Sequence, residues 1–467
     1  MVKPRYALRL GVSAVAALLA VQAGTSAAGA SSRSASLAGS SSQFPWLLTA
    51  PRTLDPGQSI TSLGGRYTLD MQRTDGNLVL RYLGQPIWSA STAGHPGAYA
   101  IMQRDGNFVV YDHKRALWSS GSGGHPRVSY NLTLEQDGRF VITSPRGSMV
   151  YASKTATNGV RLTPEANPAF AGDGGDPNVV YSNGTYYAFT TGTALGNHLQ
   201  VVVSSSPTGG YHSYTGKPWG STALANTPGW EQPNTSTSPG VFRYDGHWVM
   251  FYDAAEAGSS EASGHTCLAV ATAGSLSPSS PQFTDNSRGP LLCMPEYGGA
   301  LDPMGIVDPR TNKAYLVFKS NDGSSSLPSH IWVAPLDSAG TGLAGQPQID
   351  LTNNTVKFPF DTTLDDPFMA YANGRFFLMF TVGNFQSSNY REAYALCAGP
   401  MGPCTQANSQ PFTNTYDHAY GPGGGSLFAD AFGDWWISYA AWSSASCQSY
   451  ACGAKRQLYV APIDLGG

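Results

Sequence analysis

Charged residues are scarce in this chain of 467 residues, where only 12% are Asp, Glu, Lys or Arg. Long amphipathic helices with charged outer faces would need more of them, so the composition argues against a helical protein. The formal net charge of -3 gives no electrostatic reason to expect nucleic acid or an anionic membrane surface as a partner. Glycine, proline and aromatic residues are plentiful instead, with 54 Gly, 32 Pro and 24 Tyr. This composition indicates an all-β protein of short strands and turns.

Long apolar runs are also lacking, apart from one short stretch over residues 10–23. Basic residues precede this stretch and small residues follow it, which predicts a secretory signal peptide over residues 1–30. A membrane anchor is the weaker alternative because the apolar stretch is short. Residues 31–43 then form a linker rich in Ser, Ala and Gly. We therefore expect a secreted, extracellular protein with no membrane partner.

Cysteine is absent from the first 266 residues, and all 6 cysteines lie in the C-terminal part. An even number in an exported chain predicts disulfides. Proximity favours the pairs Cys397–Cys404 and Cys447–Cys452, which leaves Cys267 with Cys293. A metal site is the alternative, but the paired CxxC spacing of such sites does not occur.

Residues 44–159 contain three copies of a short repeat, with a period of roughly thirty residues. The copies begin DGNLVLRY, DGNFVVYD and DGRFVITS. In each, a DG turn followed by alternating apolar residues predicts a hairpin. Trp88, Trp118 and Tyr151 recur at matching positions, so three units can bury these rings on a shared axis.

The second repeat reads QRDGNFVVY, which resembles the sugar-binding pattern QxDxNxVxY of bulb-type (monocot mannose-binding) lectins. In that family the Gln, Asp, Asn and Tyr hydrogen-bond one mannose and the Val packs against it. The resemblance implies a β-prism lectin domain over residues 44–159 that binds mannose-type glycans. It places the main pocket at Gln103, Asp105, Asn107, Val109 and Tyr111.

The other two repeats match this pattern less well. The first keeps Asp75, Asn77 and Val79, but Gln72 is expected to be one residue out of place and Arg81 replaces the Tyr. A weaker second pocket is therefore expected there. The third repeat has Glu135, Arg139 and Thr143 at three of the five positions. The alternative is that the Asp-Gly pairs only make turns and the scaffold binds no sugar.

Five longer repeats fill residues 160–467, each with a small or acidic residue, an apolar strand, a turn and an aromatic strand. Their prolines are separated by steps of roughly sixty residues, enough for four short strands per repeat. The prolines are Pro177, Pro239, Pro303, Pro367 and Pro422. A two-sheet sandwich would not contain five evenly spaced copies. The pattern predicts a five-bladed β-propeller.

Aspartates open three of these repeats: Asp176, Asp302, and the adjacent pair Asp365 and Asp366. The first strand of each blade lines the axis of a propeller, so these carboxylates should meet in one funnel. Ser238 and Gly421 open the second and fifth repeats, so a turn does not require an acid there. Carboxylates that meet in a concave site suit glycosidic bond cleavage. The alternative is that they cap strand starts.

The segments GDPNVVYSNGTYYAF, GGALDPMGIVD and LDDP resemble glycoside hydrolase family 43, five-bladed inverting enzymes that act on arabinose- and xylose-containing polysaccharides. The resemblance implies that Asp176 is the general base and Asp302 the aspartate that tunes the pKa of the acid. The family acid is a Glu two residues before Pro, which places Asp365 at the acid position. Asp366 is the rival because it directly precedes Pro, as Asp176 and Asp302 do. Adjacent strand residues point to opposite faces, so only one of the two is expected to reach the axis.

No cofactor is predicted, and no metal site. The fifth repeat reads GPGG, so Gly424 replaces the His often seen in the family, and a structural calcium ion is not indicated. The main hypothesis is a secreted glycosidase that cleaves polysaccharide while the lectin domain holds it on glycan. The alternative is a non-catalytic protein with two carbohydrate-binding modules, in which the Asp at the acid position has abolished catalysis.

Overall fold

The computed structural model describes residues 45–155, 160–192, 198–217, 219–259, 266–280, 282–321, 327–358, 363–408, 410–415 and 418–466. The predicted signal peptide and linker lie outside these residues. The regular secondary structure of these residues is almost entirely β-strand, with short 3-10 turns at Pro295–Tyr297 and Tyr450–Cys452. None of its helices is long and apolar enough to cross a membrane.

The N-terminal domain has three four-stranded antiparallel sheets, one for each short repeat. The sheets are β3-β4-β5-β6, β2-β7-β8-β9 and β1-β10-β11-β12, so the second and third take an edge strand from the start of the domain. The strands are β1 Leu47–Thr49, β2 Thr53–Leu54, β3 Ser59–Thr61, β4 Tyr67–Met71, β5 Leu78–Tyr82, β6 Gln85–Ser89, β7 Tyr99–Met102, β8 Phe108–Asp112, β9 Arg115–Ser119, β10 Asn131–Leu134, β11 Phe140–Thr143 and β12 Met149–Ala152.

Aromatic rings from the three sheets fill the core of this domain. The Trp88 and Trp118 rings lie 5.5 Å apart, and Phe140 lies 5.5 Å from Trp88 and 6.0 Å from Tyr151. No single sheet could bury such rings alone, which explains why three copies are needed. The predicted β-prism is confirmed.

The rest of the described chain forms five four-stranded antiparallel blades. Four blades are consecutive in sequence, and the fifth pairs the early strand β13 with β32, which closes the ring. This is the predicted propeller. Its strands are β13 Arg161–Leu162, β14 Gly175–Ser182, β15 Thr185–Gly192, β16 His198–Ser204, β17 Ser221–Thr222, β18 Thr237–Tyr244, β19 His247–Ala255, β20 Thr266–Ala273, β21 Leu292–Cys293, β22 Ala300–Asp308, β23 Lys313–Ser320, β24 His330–Pro335, β25 Gln348–Thr352, β26 Leu364–Ala372, β27 Arg375–Val382, β28 Arg391–Cys397, β29 Cys404–Gln406, β30 Tyr420–Ala429, β31 Trp435–Trp442 and β32 Arg456–Asp464.

A β-bulge interrupts the first strand of every blade near its start. Its first residue has left-handed backbone geometry in each blade, and a Pro follows it in the first four. These five axis residues are Asp176 (φ 47), Ser238 (φ 50), Asp302 (φ 51), Asp366 (φ 45) and Gly424 (φ 69). The fifth therefore differs from the sequence expectation, which took Gly421. A second bulge in β30 accounts for the difference.

The three disulfides predicted from proximity are all formed. Cys267–Cys293 joins β20 to β21 and Cys397–Cys404 joins β28 to β29. Cys447–Cys452 closes the loop before β32. The first two bridges therefore fasten the two outer strands of their blades, whereas the third fastens the loop between β31 and β32.

Candidate active site

The predicted carboxylates converge on a cavity of about 320 Å³ at the end of the propeller where the first strands begin. Its lining combines acids, cations and aromatic rings: Asp176, Ser238, Asp302, Lys319, Asp365, Asp366, Phe385, Tyr390, Tyr450 and Arg456. A cavity of this size, with a few convergent polar groups, is suited to bind a sugar unit.

Both Asp365 and Asp366 line this cavity, but of the two only Asp366 also lies at the propeller axis, so the residue at the axis is the rival Asp366 and not Asp365. Strict alternation of side chains holds for a regular strand, but the bulge at Asp366 breaks the alternation. Asp366 is the axis residue of its blade, in the position that Asp176 and Asp302 occupy in theirs. Asp365 still forms a regular pair with Thr381 in the neighbouring strand.

In four of the blades, the backbone N–H of the axis residue donates a hydrogen bond to a side chain. In three of them the acceptor is a side chain on the second strand of the preceding blade: Ser238 donates to Thr191 (2.9 Å), Asp302 to Asp253 (2.8 Å) and Gly424 to Thr381 (2.9 Å). Lys319 holds the corresponding position before the fourth blade and cannot accept. The N–H of Asp366 donates to Oδ2 of Asp302 instead, at 3.1 Å.

Lys319 uses its ammonium group to join two of the acids. It is 4% exposed, forms an ion pair with Asp365, and lies 3.9 Å from Oδ2 of Asp302. Burial lowers the pKa of Lys319, but the two carboxylates outweigh burial and raise the pKa above its usual value.

Asp302 lies at the centre of this network. Its Oδ1 accepts a hydrogen bond from the Ser238 hydroxyl at 2.8 Å. Burial raises its pKa, Lys319 opposes this shift, and the carboxylates of Asp365 and Asp176 add to it. Beneath it, burial raises the pKa of Asp253 to about 8, with repulsion from Asp302 contributing. Burial thus favours the protonated form of Asp253.

Asp366 is the carboxyl group best suited to hold a transferable proton. Burial raises its pKa well above the usual value, and repulsion from Asp302 and Asp176 raises it further, while Arg456 opposes the shift. The Tyr390 hydroxyl donates to its Oδ2 at 2.5 Å and fixes its position. Three acids in one site thus have different environments, which is how one site provides both an acid and a base.

Asp176 is paired with a cation from the last strand. Nη1 of Arg456 donates to Oδ1 of Asp176 at 2.6 Å, and the two side chains form an ion pair. Nη2 of the same guanidinium is buried and has no hydrogen-bond partner among the described residues. The ring of Phe385 lies beneath the guanidinium, 5.6 Å away. Nη2 of Arg456 is therefore available to donate to a bound hydroxyl group.

Three consecutive glycines of β30 make room for this arrangement. A β-carbon at Gly423 would lie 2.3 Å from the Tyr390 ring, and one at Gly425 would lie 2.7 Å from Glu392. A β-carbon at Gly424 would approach both Arg456 and Asp366 to 3.2 Å. The first strand of the fifth blade therefore provides space rather than a side chain.

These residues do not fit a divalent cation. Calcium takes six or more oxygen ligands, whereas Asp176 and Asp365 are already paired with Arg456 and Lys319. Elsewhere in the described chain, Asp350 lies close to Cys397 and Cys404, but these cysteines are joined in a disulfide and offer no thiolate.

Sequence reasoning missed four residues of the site: Asp253, Lys319, Tyr390 and Arg456. All four lie outside the first strands of the blades, where the aspartates of the sequence motifs are found. Asp253 in FYDAA and Lys319 in VFKS are charged residues that directly follow apolar runs within their strands. Such residues are seldom buried without a partner, so this pattern is a usable signal. Tyr390 and Arg456 have no comparable local signal.

The second lectin repeat brings its five predicted residues together. Nε2 of Gln103 donates to the Tyr111 hydroxyl at 3.1 Å, and Asp105 accepts from the N–H of Asn107 at 3.1 Å. Val109 is 2% exposed beneath them, and the four polar residues are partly exposed. The polar atoms of the motif therefore line one shallow surface.

The first repeat is closer to the motif than its sequence suggests. The N–H of Gln72 donates to the carbonyl of Asn77 at 2.9 Å, just as Gln103 donates to Asn107 at 2.8 Å. The expectation that Gln72 is out of place is therefore wrong, because a turn one residue longer absorbs the offset. With its amide oriented to suit both neighbours, Gln72 donates to Asp75 and accepts from Arg81 at 2.7 Å. Arg81 thus fills the place of Tyr111.

In the third repeat, neighbouring side chains contact the acidic groups at the motif positions. Nε of Arg139 contacts Oδ2 of Asp137 at 2.6 Å, and the Thr133 hydroxyl donates to Glu135 at 2.7 Å. Its acidic groups are thereby occupied by neighbours in the same turn.

Known proteins are similar to the propeller and to the lectin domain separately. The model of glycosyl hydrolases family 43 matches residues 165–466. No curated protein matches this chain. Among solved structures, a thermostable family-43 glycoside hydrolase is 21% identical, covering 63% of this chain and 91% of its own, with a TM-score of 0.52.

Two further solved structures are similar to parts of this chain. An endo-1,4-β-xylanase from Bacteroides thetaiotaomicron is 19% identical, covering 65% of this chain and 97% of its own, with a TM-score of 0.50. A monocot mannose-binding lectin from Gastrodia elata is 34% identical, covering 23% of this chain and 96% of its own, with a TM-score of 0.22. The family match extends over most of the chain and includes every carboxylate of the cavity. The chain belongs to glycosyl hydrolases family 43 and is a glycoside hydrolase.

Proposed function

We propose that this protein is an inverting glycosidase that acts on arabinose- or xylose-containing polysaccharide. The observation that carries the proposal is the pairing of unlike carboxyl groups in one cavity: Asp366 with a strongly raised pKa and Asp176 in an ion pair. Inversion requires a protonated acid on one side of the scissile bond and a carboxylate that activates water on the other. The family match and the xylanase activity named for one similar structure support the substrate class.

In this mechanism Asp366 donates its proton to the oxygen of the leaving sugar as the glycosidic bond breaks. Asp176 removes a proton from the water that attacks the anomeric carbon from the opposite face. Asp302 repels the ionised form of Asp366 and holds its backbone N–H, so it both raises the pKa and fixes the position of the acid. Arg456 holds Asp176 in position through an ion pair.

This scheme differs from the sequence expectation, which assigned the acid role to Asp365. Asp365 is held in an ion pair by the buried Lys319 and so has no proton to give. We assign it a positioning role, in which it binds Lys319 next to Asp302. Asp366→Asn and Asp365→Asn, each compared with the unaltered protein, distinguish between these two assignments of the acid.

The proposed activity is tested by incubating the full-length protein with arabinan, arabinoxylan, aryl arabinofuranosides and aryl xylosides. We expect sugar release from at least one of them, and proton NMR at early times should show the product with inverted anomeric configuration. Asp176→Ala is the matched inactive control. Absence of turnover on all four substrates would favour the alternative, a non-catalytic carbohydrate-binding protein.

We further propose that the chain is exported and that its lectin domain binds mannose-type glycans through the second repeat. The three disulfides and the basic, then apolar, N-terminus support export. The convergence of Gln103, Asp105, Asn107 and Tyr111 supports a mannose pocket.

Asn107→Ala is expected to abolish retention of the protein on a mannose column, because it removes an amide that contacts the sugar and supports the turn through Ser120. Asn77→Ala, the matching change in the first repeat, should reduce retention only slightly. Retention of Asn107→Ala equal to that of the unaltered protein would refute the assignment of the second-repeat pocket.

A further inference from the structure

The lectin domain contacts the fifth blade of the propeller through a buried arginine. Arg66, at the start of β4, is 6% exposed, and its Nε lies 3.3 Å from Oδ2 of Asp434, which is 2% exposed. Its Nη1 donates to the carbonyl of Trp435, and its guanidinium lies 4.0 Å above the Trp436 ring. One side chain thus makes an ion pair, a hydrogen bond and a cation–π contact across the domain boundary.

The third lectin repeat supplies a second contact. Gln136 lies between Glu135 and Asp137, within the turn that would hold a sugar in a complete repeat. Its Oε1 accepts from the N–H of Gly64 at 3.4 Å, and its Nε2 donates to the carbonyl of Phe432 at 2.7 Å. The turn that has lost its sugar-binding pattern is therefore the one that touches the propeller.

Aromatic residues complete the contact. Tyr67 and Tyr82 are 2% and 6% exposed, with ring centroids 4.9 Å apart. The hydroxyl of Tyr67 is hydrogen-bonded to Asp464, the last residue of β32. Close fit is evident at Gly64, where a β-carbon would lie only 1.7 Å from Oδ2 of Asp434.

We propose that the sheet of the first lectin repeat, together with the turn of the third, is a docking surface for the fifth blade, and that the lectin domain and the propeller form one rigid body. Domains within one chain normally move relative to each other unless their interface is well buried. Separation here would expose Arg66 and Asp434 without partners and uncover the two tyrosines. The second-repeat pocket therefore lies at a fixed distance from the active-site cavity, rather than at the end of a flexible tether.

The proposal is tested on the full-length protein by calorimetry and small-angle X-ray scattering. The unaltered protein should unfold in one transition. Arg66→Ala should split this into two transitions and increase the maximum particle dimension, because the domains separate. Gly64→Ala should have the same effect by steric clash with Asp434, and it leaves every other side chain of the interface in place.

Matched controls are Arg115→Ala, which removes an exposed arginine of the same domain, and Gly274→Ala, where a β-carbon would meet nothing within 4 Å. Both should keep one transition and an unchanged scattering profile. Two separate transitions in the unaltered protein, or an unchanged particle dimension in both Arg66→Ala and Gly64→Ala, would overturn the proposal. Neither measurement depends on enzymatic activity.

Discussion

Replacement of Asp366 by Asn should lower kcat on polysaccharide by about 10²–10⁴-fold, the usual contribution of a general acid. The amide of Asn keeps the size of the side chain and its contact with Tyr390, but it cannot give up a proton to the leaving sugar. An aryl glycoside with a strongly acidic phenol as its leaving group should restore much of the rate, because such a phenol departs without protonation. Initial rates on both substrates measure the effect.

Asp365→Asn is the matched control, since it changes the neighbouring carboxyl group of the same cavity. It should lower the rate on both substrates by a similar factor, because it disturbs Lys319 rather than the proton donor. If Asp365→Asn is instead the variant that an activated leaving group rescues, the acid role belongs to Asp365.

The dependence of activity on pH follows from the same assignment. Burial and two neighbouring carboxylates raise the pKa of Asp366, so its protonated form persists at pH values where an ordinary aspartate is ionised. Activity should therefore fall as the pH rises through the raised pKa, and this decline should be absent from the residual activity of Asp366→Asn. Activity profiles of kcat against pH provide the measurement.

Replacement of Lys319 by Met should lower the free energy of unfolding by about 3–5 kcal/mol, the usual cost of removing one partner from a buried ion pair. Met has nearly the same volume, so packing is kept while Asp365 and Asp302 lose their common cation. Urea denaturation at neutral pH provides the measurement. The loss should shrink at acid pH, where protonation of the two aspartates removes the unpaired charge.

Lys313→Met is the matched control for this variant, because Lys313 opens the same strand and is exposed. Its unfolding free energy should stay close to that of the unaltered protein. An equally small change in Lys319→Met would show that the ammonium does not stabilise the two aspartates.

The architecture was readable in the sequence because it repeats. The DG turns and prolines recur at steps set by a sheet or a blade, so even weak local signals add up over three or five copies. The disulfides followed from proximity because each closes a short segment.

The site was only partly readable, for reasons that lie in the backbone. Strand alternation predicts opposite directions for Asp365 and Asp366, whereas a single bulge lets both side chains line the cavity. Gln72 was misplaced for a related reason, since one extra residue in a turn is invisible to a fixed-spacing motif. Arg456 reaches Asp176 from 280 residues away, a distance that no local pattern spans.

The three glycines of β30 have a consequence for the evolution of this site. Because Arg456 fills the volume next to Gly424, a side chain at position 424 and an arginine at position 456 compete for one space. Related propellers should therefore carry one or the other but not both, so the two positions should covary although 32 residues separate them. Gly424 and Arg456 are then two halves of one exchange within the fifth blade, in which β32 supplies the side chain that β30 lacks.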